Sequence, residues 1–188
     1  MARQLILIKH AAPLVTPGQP SERWPLSPEG RERCADLADA VRAFAPAVVV
    51  SSVEPKAAET GKLIADRLGI PSETGAGLHE HDRSNVPHMP TREFIGMMEL
   101  VFRKPAERVL GRESAADALE RFRTAVTAAC ERHPTGNVAV VSHGTVIALL
   151  LAEWGAGKGF ELWRRMGLPS FAVVEAGQWR VAQLTERL

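Results

Sequence analysis

Uninterrupted apolar runs alternate with amphipathic stretches along this chain, and the alternation sets out its elements. Gln4–Ile8, running into Lys9, reads as a buried strand. The segment Ala11–Pro25 follows as a loop. Ser27-Pro28-Glu29 predicts a helix start: Ser caps the first amide groups, Pro suits the first helical position, and an acid sits in the first turn. Cys34, Leu37, Ala38, Val41 and Phe44 then share one helical face, and Pro46 closes the element. Val48–Val50 predicts a second buried strand ending at Ser51-Ser52. Pro55 opens a second helix, with Leu63, Ile64 and Leu68 inward and Gly69 as its stop.

Residues 71–112 break this rhythm. They carry prolines, glycines and one apolar segment, Phe94–Phe102, and read as a partly helical cap inserted over one end of a sheet. Glu113–Arg132 predicts a long helix with Leu119, Phe122, Val126, Ala129 and Cys130 on one stripe. Val138–Val141 predicts a third buried strand and Gly144–Trp154 a further helix. Phe171–Val174 and Trp179–Leu184, joined across Ala176-Gly177, predict a hairpin at the sheet edge. Trp154, Phe160 and Trp163 are read as buried aromatics near the domain's end. The order of elements predicts an α/β fold, a three-layer α/β/α sandwich with a mostly parallel central sheet, as one domain over 1–188.

Composition narrows the function classes. Of 188 residues, 45% are apolar and 24% charged, as in ordinary globular protein, and the net charge is only +1. No global basic field favours nucleic acid or an anionic membrane, so affinity for an anion must come from local placement. Leu5–Ile8 is too short for a signal-peptide core, and Val146–Ala152 is far below membrane-spanning length. The two cysteines, Cys34 and Cys130, lie on predicted apolar helix faces and form no CxxC pair. A cytoplasmic protein without membrane partners is expected; its oligomeric state is not readable.

Ligands of open α/β sheets bind beyond the carboxyl ends of the strands. Lys9 and His10 follow the first strand. Ser51, Ser52 and then Lys56, in the first turn of the next helix, follow the second. Ser142, His143 and Gly144 follow the third. The helix starts after Ser52 and His143 add N–H donors in the same region. A lone Lys at a strand end usually reaches for solvent, and a lone His is usually structural. Lys56 opposes the dipole of its helix, a penalty that a bound anion would reverse and that Glu59 could also offset. Four such residues at three neighbouring strand ends predict a pocket of phosphate size.

The motifs fall in a known order. Leu5-Ile6-Leu7-Ile8-Lys9-His10-Ala11 resembles the first strand and Arg-His-Gly signature of the histidine phosphatase superfamily, the phosphoglycerate-mutase-like fold. Pro25-Leu26-Ser27-Pro28-Glu29-Gly30 is similar to its Leu-(Ser/Thr)-x-x-Gly helix start. Ser51 to Thr60 resembles Ser-Ser-Pro-x-x-Arg-Ala-x-x-Thr, and Leu78-His79-Glu80 resembles Leu-x-Glu. Gly111-Arg112-Glu113-Ser114 with Arg121 is similar to Gly-Glu-Ser…Arg, and Ser142-His143-Gly144 to the second His-Gly.

The resemblance implies a phosphatase acting on a small phosphorylated metabolite without a cofactor or metal. His10 would take the phosphoryl group, and Lys9, Lys56 and His143 would hold its oxygens. Glu80 would protonate the leaving oxygen and then activate water, a role that favours a raised carboxyl pKa. Asp82 is a second candidate for that acid. Gly144, Thr16, Arg23, His81 and Arg83 are candidate substrate contacts. The sequence departs from the family pattern at Lys9, Lys56 and Ala11, where Arg, Arg and Gly are usual. Charge is kept at both lysines, but the planar fork that grips phosphate is not.

A catalytically weak phospho-ligand binder on the same fold is therefore the alternative reading. A mutase-type phosphotransferase ranks lower, because the chain is short and reads Lys9-His10-Ala11-Ala12-Pro13 where mutases read Arg-His-Gly-Glu-Ser. A metal site from His79, His81, Asp82 and His88 ranks lower still. Gly155-Ala156-Gly157-Lys158-Gly159 fits no nucleotide fingerprint and reads as a turn after a helix.

Overall fold

The computed structural model describes residues 3–87 and 89–188. Its elements are β1 (Gln4–Lys9), α1 (Pro28–Arg42), β2 (Pro46–Ser51), α2 (Pro55–Leu68), β3 (Ser72–Thr74), α3 (Thr91–Arg103), α4 (Ala115–Arg132), β4 (Asn137–Ser142), α5 (Gly144–Glu153), α6 (Gly159–Arg165), β5 (Ser170–Glu175) and β6 (Arg180–Thr185). The sheet order is β3-β2-β4-β1-β5-β6. β3, β2, β4 and β1 pair in parallel; β5 runs against β1, and β6 against β5.

Alternation along the central strands creates two cores. Ile6, Ile8, Val49, Ala139 and Val141 face Leu37, Val41 and Ile64 of α1 and α2. Leu5, Leu7, Val50, Val138 and Val140 face the other layer, where α4 and α5 contribute Phe122, Val126, Ile147 and Leu150. Central strands buried on both faces explain why they read as continuous apolar runs. The three layers and mostly parallel sheet match the sequence expectation. Trp154, Phe160 and Trp163 pack half-buried against the larger core, and Trp154 stacks on Trp179 at 5.0 Å. Cys34 and Cys130 are buried and unbridged.

The structure corrects the expectation in three places. The segment 71–112 is not all cap: β3 belongs to the main sheet and pairs with β2. Its residues Ser-Glu-Thr are exposed, so this edge strand is held by backbone bonds and leaves no apolar signature. After the turn at Gly155 and Gly157, which adopt positive φ, the chain forms the unexpected short helix α6. The long fourth helix begins at Ala115 rather than Glu113, because Ser114 and Asp117 form a reciprocal capping box. No described helix is long and apolar enough to cross a membrane.

Candidate active site

Strand register brings the two histidines together. Lys9 stands opposite Ser142 in the parallel β1/β4 pair, and the His10 amide donates to the Ser142 carbonyl at 3.0 Å. His10 and His143 thus leave adjacent strand ends side by side, with ring centroids 5.1 Å apart. The His10 Nδ1 lies 2.7 Å from the Ala11 carbonyl. A carbonyl only accepts, so Nδ1 carries the proton and Nε2 is left unprotonated. Burial pulls the His10 pKa down to about 3; the Ala11 carbonyl opposes this, and Lys56 and Lys9 add to it. Burial, then His10 and Lys56, hold His143 well below the usual histidine range. The His143 Nε2 lies 2.9 Å from Ser52 Oγ, while its buried Nδ1 has no partner among the described residues.

The loop after His10 is pinned from two helices. The Ala12 carbonyl accepts from both the amide and the hydroxyl of Ser27, whose Oγ caps the Gly30 amide. A Cβ at Gly30 would lie 2.2 Å from that carbonyl oxygen, so only glycine permits the approach. From α2, the buried Thr60 hydroxyl accepts from the Ala11 amide and donates to the Lys56 carbonyl.

Both lysines are held. Lys56, only 5% exposed, donates through Nζ to the Ser21 carbonyl at 2.7 Å and to Glu54 Oε2 at 2.5 Å. Its offsetting carboxylate is therefore Glu54; Glu59 instead pairs with Arg31. Glu54 also accepts from the Glu80 amide and lies 3.5 Å from His143 Nε2. Burial pushes the Glu54 carboxyl above its ordinary pKa despite Lys56. Lys9 donates to the Met166 carbonyl, and burial lowers its pKa to about 8 against the attraction of Glu80. A Cβ on Gly144 would lie 3.1 Å from Lys9 Cε, so Gly144 makes room for that ammonium.

Glu80 is carried by the insertion. Arg121 of α4 donates to the carbonyls of Gly77, His79 and Glu80 and pairs with Glu113 at 2.6 Å. The Ser142 hydroxyl donates to the Leu78 carbonyl, tying this loop to β4. The Glu80 carboxylate then accepts from the amides of His81, Thr145 and Val146. Burial alone would raise its pKa, but Arg83 and the amides of Thr145 and His81 outweigh burial and hold it below the ordinary carboxylate range. Two expectations change here: the resting carboxyl is not raised, and the start of α5 already holds an internal anion.

Lys9, His10, Lys56, Glu80, Arg83, His143 and Gly144 all line one cavity of about 340 Å³. Thr16 and Arg23 do not; Thr16 turns to the Leu14 carbonyl, and Arg23 is exposed. Ser21 and Trp24 of the same loop line the cavity instead. The buried His81 ring is 2.9 Å from the Glu113 carbonyl and faces an adjoining cavity with Asp82. Asp82 bonds Ser84 and lies outside the cavity of His10. No group of three or more His, Cys, Asp or Glu side chains among the described residues converges to hold a metal ion; His88 lies outside them. Sequence reasoning missed Glu54, whose only signal was an acid two residues before Lys56.

No curated protein matches the sequence. Mycobacterial hydrolase 1 superposes with TM-score 0.81 at 20% identity, and a mycobacterial glucosyl-3-phosphoglycerate phosphatase with 0.77 at 21%; each match covers 100% of both chains. The alpha-ribazole phosphatase of Shigella flexneri superposes with 0.74 at 17% identity, over 98% of this chain and 96% of its own. The model of the histidine phosphatase superfamily (branch 1) matches residues 5–185. With nearly the whole chain matched, this protein belongs to the histidine phosphatase superfamily.

Proposed function

We propose that this protein hydrolyses a small phosphate monoester through a phosphohistidine at His10, without a metal. The observation that carries the reading is the hydrogen bond from His10 Nδ1 to the Ala11 carbonyl, which leaves Nε2 as a bare nucleophile in a cavity with Lys9, Lys56 and Arg83. His10 Nε2 attacks phosphorus in line as the P–O bond to the leaving group breaks. The lysines, and His143 through Nδ1, stabilise the phosphoryl oxygens; positioning and charge supply most of what this transfer needs. The Ser52 hydroxyl, donating to His143 Nε2, would keep the proton on Nδ1. Glu80 protonates the leaving oxygen. An incoming phosphate dianion would raise the Glu80 pKa by like charge, which supplies that proton at the moment of need. Glu80 then takes a proton from the water that cleaves the N–P bond, and phosphate leaves.

The test is p-nitrophenyl phosphate turnover with a chelator present, coupled to rapid quench for an acid-labile, base-stable phosphoenzyme. Turnover that survives the chelator, with a phosphoenzyme absent from His10→Ala, is expected. Chelator-sensitive turnover, or a phosphoenzyme that persists in His10→Ala, would overturn the mechanism. A second reading, a binding protein with little catalysis, draws on Lys56 having two donors committed to Glu54 and Ser21. Phosphate binding without turnover would favour it.

A further inference from the structure

The cavity lining is of two kinds. Its charged members are Lys9, Lys56, Arg83 and Glu80. An apolar and aromatic wall is formed by Trp24 from the first loop, Val86 and Met89 from the insertion, Phe94 from α3 and Trp163 from α6. Phe94 and Trp163 meet edge to face at 6.0 Å, and Trp163 stacks on Phe160 at 5.9 Å, so this wall is braced from behind. Gln19, Ser21 and Thr91 are its neutral polar members.

Charge counting limits the ligand. Three cations and one carboxylate among the described lining residues leave a surplus of two positive charges when both histidines are neutral. A phosphate monoester is a dianion above its second pKa of about 6 and consumes that surplus. Glu54, paired with Lys56 just outside the cavity, reduces it further. Arg83 lies 3.6 Å from Glu80 and 5.4 Å from the Phe94 ring centre. A second anionic group on the leaving side would meet aromatic carbon and, among the described lining residues, no positive charge that the phosphate leaves unspent, at a desolvation cost.

Resting on the phosphatase reading above, we infer that the preferred substrate is the phosphate ester of an uncharged, largely apolar alcohol or phenol carrying an aromatic ring, and not of a sugar acid or amino acid. A cavity of about 340 Å³ limits the leaving group to roughly one or two rings.

The test compares alkyl esters of similar intrinsic reactivity: 2-phenylethyl phosphate, ethyl phosphate, glucose 6-phosphate, phosphoserine and 3-phosphoglycerate. The kcat/KM for 2-phenylethyl phosphate should exceed every other by about tenfold or more. In Trp24→Ala, and in Phe94→Leu, which keeps the core filled, the preference for 2-phenylethyl over ethyl phosphate should shrink about threefold or more. Calorimetry with 2-phenylethylphosphonate and 3-phosphonopropionate, whose P–C bonds resist hydrolysis, reads the same preference without turnover. Equal or better use of 3-phosphoglycerate, phosphoserine or glucose 6-phosphate would overturn the inference and leave the phosphatase reading intact. Tighter binding of the phenyl phosphonate with no ester hydrolysed would sink the phosphatase reading and support the ligand class.

Discussion

The site is assembled by two different methods. His10, His143 and Lys9 stand at the ends of β1 and β4, where register fixes their separation and the sheet's core backs them. Glu80 and Arg83 stand on the insertion, where no strand holds them. Their loop is placed by side chains that grip main-chain carbonyls: Arg121 on three and Ser142 on one. The first method uses packing, which is cooperative and tolerant. The second uses a few directional polar contacts, each of which is costly to lose. Damage to the strand-borne half should therefore come from losing chemistry, and damage to the loop-borne half from losing position.

The contrast can be broken from either side. The largest effect is expected for His10→Ala, which removes the proposed nucleophile and should lower kcat for p-nitrophenyl phosphate by about 10⁴-fold or more with the fold intact by circular dichroism. Arg121→Leu touches no substrate, yet it frees the carbonyls of Gly77, His79 and Glu80. It should lower kcat about 100-fold through misplacement of Glu80, with KM changed far less. An Arg121→Leu enzyme of normal kcat would show that the loop is placed by something else. Gly30→Ala sets a methyl against the Ala12 carbonyl. It should cost about 2 kcal/mol in urea unfolding and lower kcat about tenfold, because the strained segment is the one that carries His10.

The smallest effect is a pH limb. Lys9 holds its proton below its pKa of about 8 and loses its charge above it, so kcat/KM should fall as pH rises through that value. The fall should be about fourfold half a unit above it. Bound phosphate favours the charged lysine, so the corresponding limb in kcat should lie at higher pH. In Lys9→Arg the limb should vanish from kcat/KM; its persistence would assign it to another group.

The same contrast explains what the sequence disclosed. Buried parallel strands write themselves as apolar runs, so β1, β2 and β4, and with them His10 and His143, were legible at their ends. Helix starts were legible where capping chemistry is local, as at Ser27 and Pro55. Partnerships between distant residues left no such trace. Nothing in the sequence separated Glu54 from Glu59 as the partner of Lys56, because the choice depends on which way each carboxylate leaves α2 and the turn before it. The motif points to Glu80, but its lowered pKa follows from Arg83 and the amides of Thr145 and His81, the first of these amides far along the chain. Thr16 and Arg23 belong to a loop whose cavity-lining members are Pro13, Gln19, Pro20, Ser21 and Trp24, a choice that no local pattern marks. β3 was illegible because an exposed edge strand needs no apolar side.

The amides at the start of α5 work as a leash. A carboxylate free to move in a cavity with Lys9, Lys56 and Arg83 would collapse onto an ammonium and neutralise the charges that an ester needs, as Glu54 does to part of Lys56. Glu80 is spared that collapse because Thr145 and Val146 hold its oxygens in another direction. In the proposed mechanism the helix start would therefore serve the ligand indirectly: it holds Glu80 off the two lysines, and leaves Arg83 as the one cavity cation beside it among the described residues.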